Sequence, residues 1–214
     1  TVVFAKGQTH GRGRMGNVWT SPYDKGLYFS FVLRPHLEMS KAGLMTLVVA
    51  LGVVRALKEL HVDHVTIKWP NDVFIKNKKA CGILTELNFH SKKIVYCVVG
   101  VGLNVHRPSK SDCWPCAISL EEATARKFDT ADLAHIILKK IDDCYELLRH
   151  KKYAAIMAEV KENSRLVLGG RVRVTWEDKE VEGYAVDFDE NGSLLIRRDN
   201  GFLEKVSSGH LVML

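Results

Sequence analysis

Residues 65–104, VTIKWPNDVFIKNKKACGILTELNFHSKKIVYCVVGVGLN, decide the fold class, because they contain four segments with the composition of β-strands. The first segment alternates apolar and polar residues, as a half-buried strand does. Asn77 and Lys78 have the composition of a turn and separate the second strand from the third. The four predicted strands are Val65–Trp69, Val73–Ile75, Gly82–Leu87 and Ile94–Leu103.

Helices and one further strand are predicted on either side of this segment. Leu27–Leu33 is rich in β-branched and aromatic residues and predicts a buried strand. Ser40 has the properties of an N-cap for a helix that runs to about residue 60, with leucines and valines spaced to form one face. A second helical region is predicted at about 130–160. Strands and helices combined in this way indicate an α+β domain.

The last fifty residues have a different pattern and a different charge. Residues 1–164 carry 24 Lys and Arg against 16 Asp and Glu, whereas residues 165–214 carry 7 against 9. Short alternating segments separated by turn signals are typical of a small all-β barrel. We therefore predict two domains, over 1–163 and 164–214. The predicted barrel strands are Arg171–Trp176, Val181–Asp187, Ser193–Ile196 and Phe202–Val206.

The composition is that of a folded globular chain, with 46% hydrophobic and 26% charged residues. The apolar stretch Leu44–Val54 is much shorter than the roughly 20 residues of a membrane span, and no secretion signal is recognisable. Five cysteines at irregular spacing suit a reducing compartment and predict a cytoplasmic protein. Cys113-Trp-Pro-Cys116 has the spacing of a redox motif, but its loop context argues against that activity.

A loop rich in glycine and arginine follows the short apolar run Thr1–Ala5. Its centre is Gln8-Thr-His-Gly-Arg-Gly-Arg-Met-Gly16. Glycines let the backbone approach a ligand closely, and the forks of Arg12 and Arg14 suit phosphate or carboxylate oxygens. The loop is neither a Walker A motif nor the G-x-G-x-x-G of a dinucleotide fold. From these residues alone, an anion cradle and a basic surface loop that binds RNA loosely are equally good interpretations.

Two other stretches carry polar groups at predicted strand ends. Asn71 and Asp72, in Lys68-Trp-Pro-Asn-Asp72, could hold a hydrated Mg²⁺ or a nucleotide phosphate, but a Pro-Asn-Asp turn is an ordinary alternative. Lys79 could equally be a solvated hairpin lysine. Asn104 ends Gly100-Val-Gly-Leu-Asn104, where its amide could bind a ligand or simply cap the strand.

Together these stretches resemble the biotin protein ligase family. The resemblance extends along essentially the whole chain. It implies an α+β catalytic domain of the class II aminoacyl-tRNA-synthetase type with a mixed sheet and helices, followed by a small SH3-like β-barrel. The N-terminal strand with which the family begins is expected to be absent here. The matching residues are Gln8-Thr9, Gly11–Arg14, Gly16, Trp19, Ser21-Pro22, Leu27-Tyr28, Ser30, Lys68–Asp72, Lys79, Gly82–Leu84 and Gly100–Asn104.

The resemblance also implies an activity in two steps. Biotin and ATP, with Mg²⁺, would give biotinyl-5′-AMP, and the biotinyl group would pass to a lysine of the biotin carboxyl carrier domain of a carboxylase. Arg14 and Lys79 are the implied catalytic residues. The implied biotin and biotinyl-AMP contacts are Gln8, Gly11, Arg12, Gly13, Arg14 and Lys79. The implied nucleotide contacts are Asn71, Asp72 and Asn104, with Asp72 as the magnesium ligand.

Two alternatives remain at the level of sequence. A lipoate or octanoate protein ligase would share the general fold and the acyl chemistry, although the Gly-Arg-Gly-Arg loop argues against it. A basic nucleic-acid-binding module is suggested by the excess positive charge of residues 1–164. For the favoured activity we expect no membrane association and no DNA-binding domain in these residues, and a homodimer is left open.

Overall fold

An antiparallel sheet of six strands forms the larger part of the fold. The α+β class is confirmed, but every pairing between the six strands is antiparallel, so the expectation of a mixed sheet is wrong. The computed structural model describes residues 1–107, 116–177 and 179–214, and Cys113 therefore lies outside the described residues. Across the sheet the order is β1 (Val2–Ala5), β2 (Gly26–Leu33), β6 (Lys93–Asn104), β5 (Lys78–His90), β4 (Asp72–Ile75) and β3 (Val65–Lys68).

The turn between β4 and β5 differs by one residue from the prediction. It consists of Lys76 and Asn77, which both have positive φ angles of 49° and 62°. Two successive residues with positive φ fit the tight hairpins whose twist matches that of the strands. Lys78 is therefore the first residue of β5, and this register directs the side chain of Lys79 into the site described below.

Four helices occur in the described residues, where they follow the strands or connect them. They are α1 (Ala42–Glu59), α2 (Leu120–Thr124), α3 (Thr130–Arg149) and α4 (Tyr153–Glu162). The expected N-cap at Ser40 is wrong, because a 3₁₀ turn over Met39–Lys41 precedes α1 and Lys41 occupies the cap position without a side-chain hydrogen bond. The region predicted at 130–160 is two helices, since the chain bends at Lys151, whose φ is +56°.

Helix α1 is the centre of the hydrophobic core. It packs against β3, β4 and β5 on one side and against α3 on the other. Its twelve buried residues lie on all sides of the helix, whereas the sequence predicted one apolar face. Met39–Glu59 is long and apolar enough to cross a membrane, but 67% of its apolar window is buried inside this fold. The hydrophobicity of α1 is therefore explained by its position between sheet and helix.

Helices α1 and α3 approach each other closely at Gly52. A Cβ atom added there would lie 2.6 Å from the Cα of Ile141 and 2.8 Å from its backbone nitrogen. Backbone atoms cannot move aside as a flexible side chain can, so the two helices would have to separate.

Replacing Gly52 with alanine is expected to lower the free energy of unfolding by about 1–3 kcal/mol, the usual cost of overpacking a core. The loss occurs despite the better helix propensity of alanine. Urea unfolding followed by circular dichroism measures it. Lys139→Ala, an exposed change on α3, should stay within about 0.5 kcal/mol of the wild type. Equal stability of the two variants would contradict the close approach.

The C-terminal region forms a second, smaller antiparallel sheet, as expected for an SH3-like barrel. The sequence missed its fifth strand, and the domain boundary after residue 163 remains a prediction that falls between α4 and the first strand of this sheet. The strands, in spatial order, are β10 (Leu203–Val206), β9 (Leu194–Arg197), β8 (Lys179–Phe188), β7 (Arg171–Trp176) and β11 (His210–Met213).

The smaller sheet is fixed to the larger one next to the predicted site. Trp69, which is 1% exposed, donates a hydrogen bond from Nε1 to the carbonyl oxygen of Gly192 at 3.0 Å. Lys41 Nζ donates to Asn191 Oδ1 at 3.0 Å from the start of α1. The turn that follows β8 therefore supports the chain segment that leads from Trp69 to Asp72.

Candidate functional site

A cavity of about 640 Å³ lies on the face of the large sheet opposite α1. Thr85 marks the other face, because its hydroxyl accepts a hydrogen bond from Thr46 of α1 at 3.0 Å. Its neighbours Leu84 and Glu86 therefore face the cavity, as strand alternation requires. The remaining walls come from the glycine–arginine loop, from residues 68–72 and from residues 209–211 of the smaller sheet.

Glycines form the floor of this cavity. Gly82 of β5 lies directly opposite Gly102 of β6, and the indole of Trp19 rests on the pair. A Cβ atom at Gly102 would lie 2.4 Å from Trp19 Nε1, and one at Gly82 would lie 2.8 Å from the same ring system. Trp19 Nε1 is buried and finds no hydrogen-bond partner among the described residues. The floor is thus flat and largely apolar.

The glycine–arginine loop is folded back on itself as an irregular hairpin. Gln8 N donates to the carbonyl oxygen of Ser21 at 3.0 Å, and Trp19 N donates to that of Gly11 at 2.9 Å. A Cβ atom at Gly11 would lie 2.2 Å from the Trp19 oxygen, so only glycine fits there. Gln8 also donates from Nε2 to Ser21 Oγ at 2.8 Å. The loop therefore holds Trp19 over the floor and directs its tip across the cavity.

Arg14 reaches from the tip of this loop to the opposite wall. Its Nη1 donates to Asn71 Oδ1 at 2.9 Å and to the carbonyl oxygen of Gly209 at 3.3 Å. Burial lowers the pKa of the Arg14 guanidinium, and the nearby Asp72 carboxylate partly opposes this shift. Both direct acceptors are neutral, so the guanidinium charge is available to an anion in the cavity.

Lys79 and Asp72 form an ion pair at the base of the same wall. Lys79 Nζ lies 2.8 Å from Asp72 Oδ1 and 5.3 Å from the centre of the Trp19 ring. Asn71 Nδ2 donates to the same Asp72 oxygen at 3.1 Å and to the carbonyl oxygen of Ile83 at 3.1 Å. Lys79 is therefore not a solvated hairpin lysine, and Asn71 and Asp72 do more than form a turn.

Arg12 lies at the rim, where its guanidinium donates to Glu86 Oε2 at 2.9 Å. The side chains of Arg12 and Glu86 are 71% and 46% exposed, so this pair adds little to stability. Tyr28 projects from β2, and burial raises its pKa to about 12, which keeps its hydroxyl neutral.

Most of the predicted site residues meet in this cavity. Gly11 lies inside the hairpin instead. The predicted residues that line the cavity are Gln8, Arg12, Gly13, Arg14, Asn71, Asp72 and Lys79. Asn104 does not line the cavity in the described part of the chain. It is 3% exposed and donates to the carbonyl oxygen of Ile118 at 3.4 Å, which favours the strand-capping interpretation.

Several lining residues were not among the predicted site residues. Four of them lie in the family motifs, and their spacing from the glycines of the floor could have indicated that they line the cavity. These four are Trp19, Tyr28, Ser30 and Lys68. His210 and its neighbours at the start of β11 follow no recognisable motif. They reach the cavity because β11 pairs with β7, a contact that no local pattern encodes.

A preformed metal centre is not visible in the described residues. No three His, Cys, Asp or Glu side chains converge in residues 1–107, 116–177 and 179–214. Asp72 is a carboxylate on the cavity wall, and one of its oxygens already accepts two hydrogen bonds. Mg²⁺ is commonly held by one or two carboxylates together with substrate phosphates. The residues therefore fit a Mg²⁺ ion that arrives with a nucleotide.

The sequence matches two family profiles that cover separate regions. Residues 1–104 match the Biotin/lipoate A/B protein ligase family, and residues 167–213 match the Biotin protein ligase C terminal domain. The Bifunctional ligase/repressor BirA of Bacillus spizizenii is 33% identical over 99% of this chain and 65% of its own length. The chain thus spans about two thirds of that relative.

Two further proteins are similar to this chain over most of their own length. The Biotin–[acetyl-CoA-carboxylase] ligase of Mycobacterium tuberculosis is 29% identical over the whole of this chain and 79% of its own length. A biotin protein ligase from Aquifex aeolicus, solved in complex with biotin and ATP, is 30% identical with a TM-score of 0.83 over all of this chain and 88% of its own. The two matched profiles and this coverage show that the chain belongs to the biotin protein ligase family.

Proposed function

We propose that this protein is an ATP-dependent biotin protein ligase. In the first step, an oxygen of the biotin carboxylate attacks the α-phosphorus of ATP. A P–O bond forms, the bond to pyrophosphate breaks, and biotinyl-5′-AMP results. In the second step, the Nζ amine of a lysine on a biotin carboxyl carrier protein attacks the acyl carbon. The acyl C–O bond breaks, AMP leaves and the amine loses a proton.

The observation that carries this proposal is the convergence of Arg14 and Lys79 on one cavity. They come from the loop and from β5, and they lie on either side of Asp72 and Asn71. The first step brings two anions, a carboxylate and a polyphosphate, into contact. Fixed cations reduce that repulsion and stabilise charge that develops on the transferring phosphorus.

The floor supports biotin as the acid that is activated. The indole of Trp19, packed on the paired glycines, gives the cavity a flat apolar surface that suits the fused rings of biotin. Solved relatives agree with this assignment, since the Aquifex aeolicus enzyme holds biotin and ATP. The biotin protein ligase from Leishmania major, 25% identical with a TM-score of 0.62, holds biotinyl-5-AMP.

The position of the glycine–arginine loop suits it to protect the biotinyl-AMP intermediate from water. Biotinyl-AMP is a mixed anhydride that water hydrolyses, so the site must exclude water until the acceptor lysine arrives. Arg14 joins the loop tip to Asn71 and to Gly209 of the smaller sheet, so the loop tip spans the cavity. Mg²⁺ would enter with the phosphates of ATP, next to Asp72, and would neutralise their charge. The four cysteines of the described residues are free, which suits the proposed cytoplasmic location.

Incubation with biotin, ATP, Mg²⁺ and a purified carrier domain tests the proposed function. We expect mass spectrometry to show one added biotinyl group on the carrier, with release of AMP and pyrophosphate. A carrier domain whose acceptor lysine is replaced by arginine should remain unmodified. Lipoate in place of biotin provides the matched comparison. Loading of lipoate but not biotin, or of neither acid, would contradict the proposal.

A further inference from the structure

A second cavity, of about 200 Å³, lies at the junction of α3 and α4. Its other wall is the connection 34–37, which leads from β2 towards α1. We call this cavity the tyrosine pocket, because Tyr145 and Tyr153 line it from the helix side. Within the described residues it shares none of its lining with the cavity that contains Arg14 and Lys79. The proposed reaction therefore does not account for the residues of the tyrosine pocket.

The base of the tyrosine pocket is apolar. Leu37 and Leu148 are only 5% and 2% exposed, and Tyr145 and Tyr153 are half-buried. Lys41 Nζ lies 4.5 Å from the centre of the Tyr153 ring, which leaves less of that ring open to a stacked nucleobase. Sites for whole small molecules usually have volumes of about 300–1,000 Å³. A pocket of this size and lining therefore suits one inserted aliphatic side chain.

The rim of the tyrosine pocket is positively charged. Arg34 lies on the side of the β2–α1 connection, and Arg149 and Lys151 lie on the helix side; all three are exposed. Glu146 forms an ion pair with Arg149. Among the ion pairs of the described residues, none involves Arg34 or Lys151. The rim therefore carries positive charge that Glu146 does not neutralise.

Ordinary helix chemistry explains only part of this rim. A cation at the end of α3 interacts favourably with the C-terminal end of the helix dipole, which accounts for Arg149. Arg34 comes from a different element, and like charges gathered around one opening attract an anion. Lys151 has a φ of +56°, a conformation that favours glycine or asparagine at the end of a helix. The chain thus has a charged side chain where glycine would fit more easily.

We infer that the tyrosine pocket binds an acidic segment of a partner protein. One aliphatic side chain of that segment enters the pocket beside Leu37 and Leu148, and flanking carboxylates pair with Arg34 and Lys151. Tyrosine and arginine are enriched in interfaces of this kind, in which a polar rim surrounds a buried apolar anchor. This inference goes beyond the proposed function and does not depend on it.

Titration of the whole ¹⁵N-labelled protein with the peptide acetyl-Glu-Glu-Leu-Glu-Glu-amide, followed by NMR, tests the inference. We expect saturable shifts of amide signals that are confined to residues 34–37 and 145–153. The same peptide with glycine in place of leucine should bind at least about tenfold more weakly, because it lacks the side chain that the pocket buries. A peptide with lysines in place of the glutamates should not bind, since like charges would then meet.

Lys151→Gly is the most informative variant, because glycine adopts the positive φ of this position without strain and removes only the side chain. We expect Lys151→Gly and Arg34→Gln each to weaken peptide binding about two- to fivefold, the effect of losing one exposed ion pair. Lys139→Ala is the matched control, since Lys139 is an exposed lysine of α3 that does not line the pocket. Wild-type affinity in both pocket variants, or an equal loss in Lys139→Ala, would overturn the inference.

Other occupants of the tyrosine pocket would give different results, and each would overturn the inference. Inorganic phosphate that bound as tightly as the peptide would make the pocket a simple anion site. Tighter binding of a single-stranded uridine pentanucleotide would assign it to nucleic acid. The same shifts on raising the protein concentration without peptide would assign it to a second copy of the chain. None of these results bears on the formation of biotinyl-AMP, which the incubation with biotin and ATP tests separately.

Discussion

Replacing Lys79 with methionine is expected to slow the formation of biotinyl-AMP by about 10²- to 10³-fold. That is the usual cost of removing one donor aimed at charge that develops in a transition state. Methionine keeps an unbranched apolar stem of similar length and removes the ammonium. Pyrophosphate release in a single turnover, at saturating biotin and ATP, measures the affected step directly.

We expect the rate of the chemical step to fall because the Lys79 ammonium is held in one position before the substrates bind. Its ammonium is held by Asp72 Oδ1 at 2.8 Å, and Asp72 is itself held by Asn71. A donor that is oriented before the substrate binds needs no reorganisation during the reaction. The same fixation predicts a second consequence. In the methionine variant, Asp72 loses its ion-pair partner and faces the incoming phosphates, so its negative charge adds to the barrier.

Lys78→Met is the appropriate control for this experiment, because it removes a lysine one position earlier whose side chain is exposed. We expect its single-turnover rate to match that of the wild type. An unchanged rate in Lys79→Met would contradict the catalytic role. A lower rate with an equally raised Kd for biotin would instead assign Lys79 to substrate binding, since binding and chemistry would then be lost together.

The strands of this protein could be predicted because their signals are local. Arg171–Trp176 was predicted with the bounds that β7 has, and the strand at Leu27–Leu33 differs from β2 by one residue. Alternation and β-branched composition suffice where one face of a strand is buried. The glycine–arginine loop was recognisable for a similar reason, since its unusual composition is visible without any neighbour.

The parts that could not be predicted depend on contacts between distant segments. His210–Met213 has too few residues for a reliable pattern, and it is a strand only because β7 pairs with it. Its position brings Gly209 to Arg14, a contact across 195 residues. The start of α1 was misplaced because a 3₁₀ turn replaces the expected cap at Ser40. Side-chain direction at Lys79 likewise depends on a turn register that shifted by one residue.

Replacing Arg14 with alanine is expected to leave the fold intact and to release biotinyl-AMP about 10²-fold faster. Arg14 is the contact that ties the loop tip to Asn71 and Gly209, and its fork remains open to the adenylate phosphate. Two hydrogen bonds to a charged group contribute about 3 kcal/mol or more, which corresponds to that factor in residence time. Dissociation of radiolabelled biotinyl-AMP, chased with an excess of unlabelled biotin and ATP, measures the rate.

Arg14→Lys distinguishes the planar fork from the charge alone. A lysine retains one positive charge but cannot bridge two acceptors in the same plane, so we expect an intermediate release rate. Arg34→Ala serves as the control, because Arg34 is exposed and does not line the cavity. Retention equal to that of the wild type in Arg14→Ala would contradict the role of the loop in covering the intermediate.

We expect Lys79→Met and Arg14→Ala to impair different steps. That difference tests whether Lys79 acts in forming the intermediate and Arg14 in retaining it. Lys79→Met is expected to form little intermediate, and the intact Arg14 contacts still cover what it forms. Arg14→Ala is expected to form the intermediate and lose it, because the Lys79–Asp72 pair is intact. Free biotinyl-AMP in solution would then biotinylate exposed lysines of any nearby protein. Non-selective labelling by Arg14→Ala, and none by Lys79→Met, is therefore the result that this arrangement of the cavity requires.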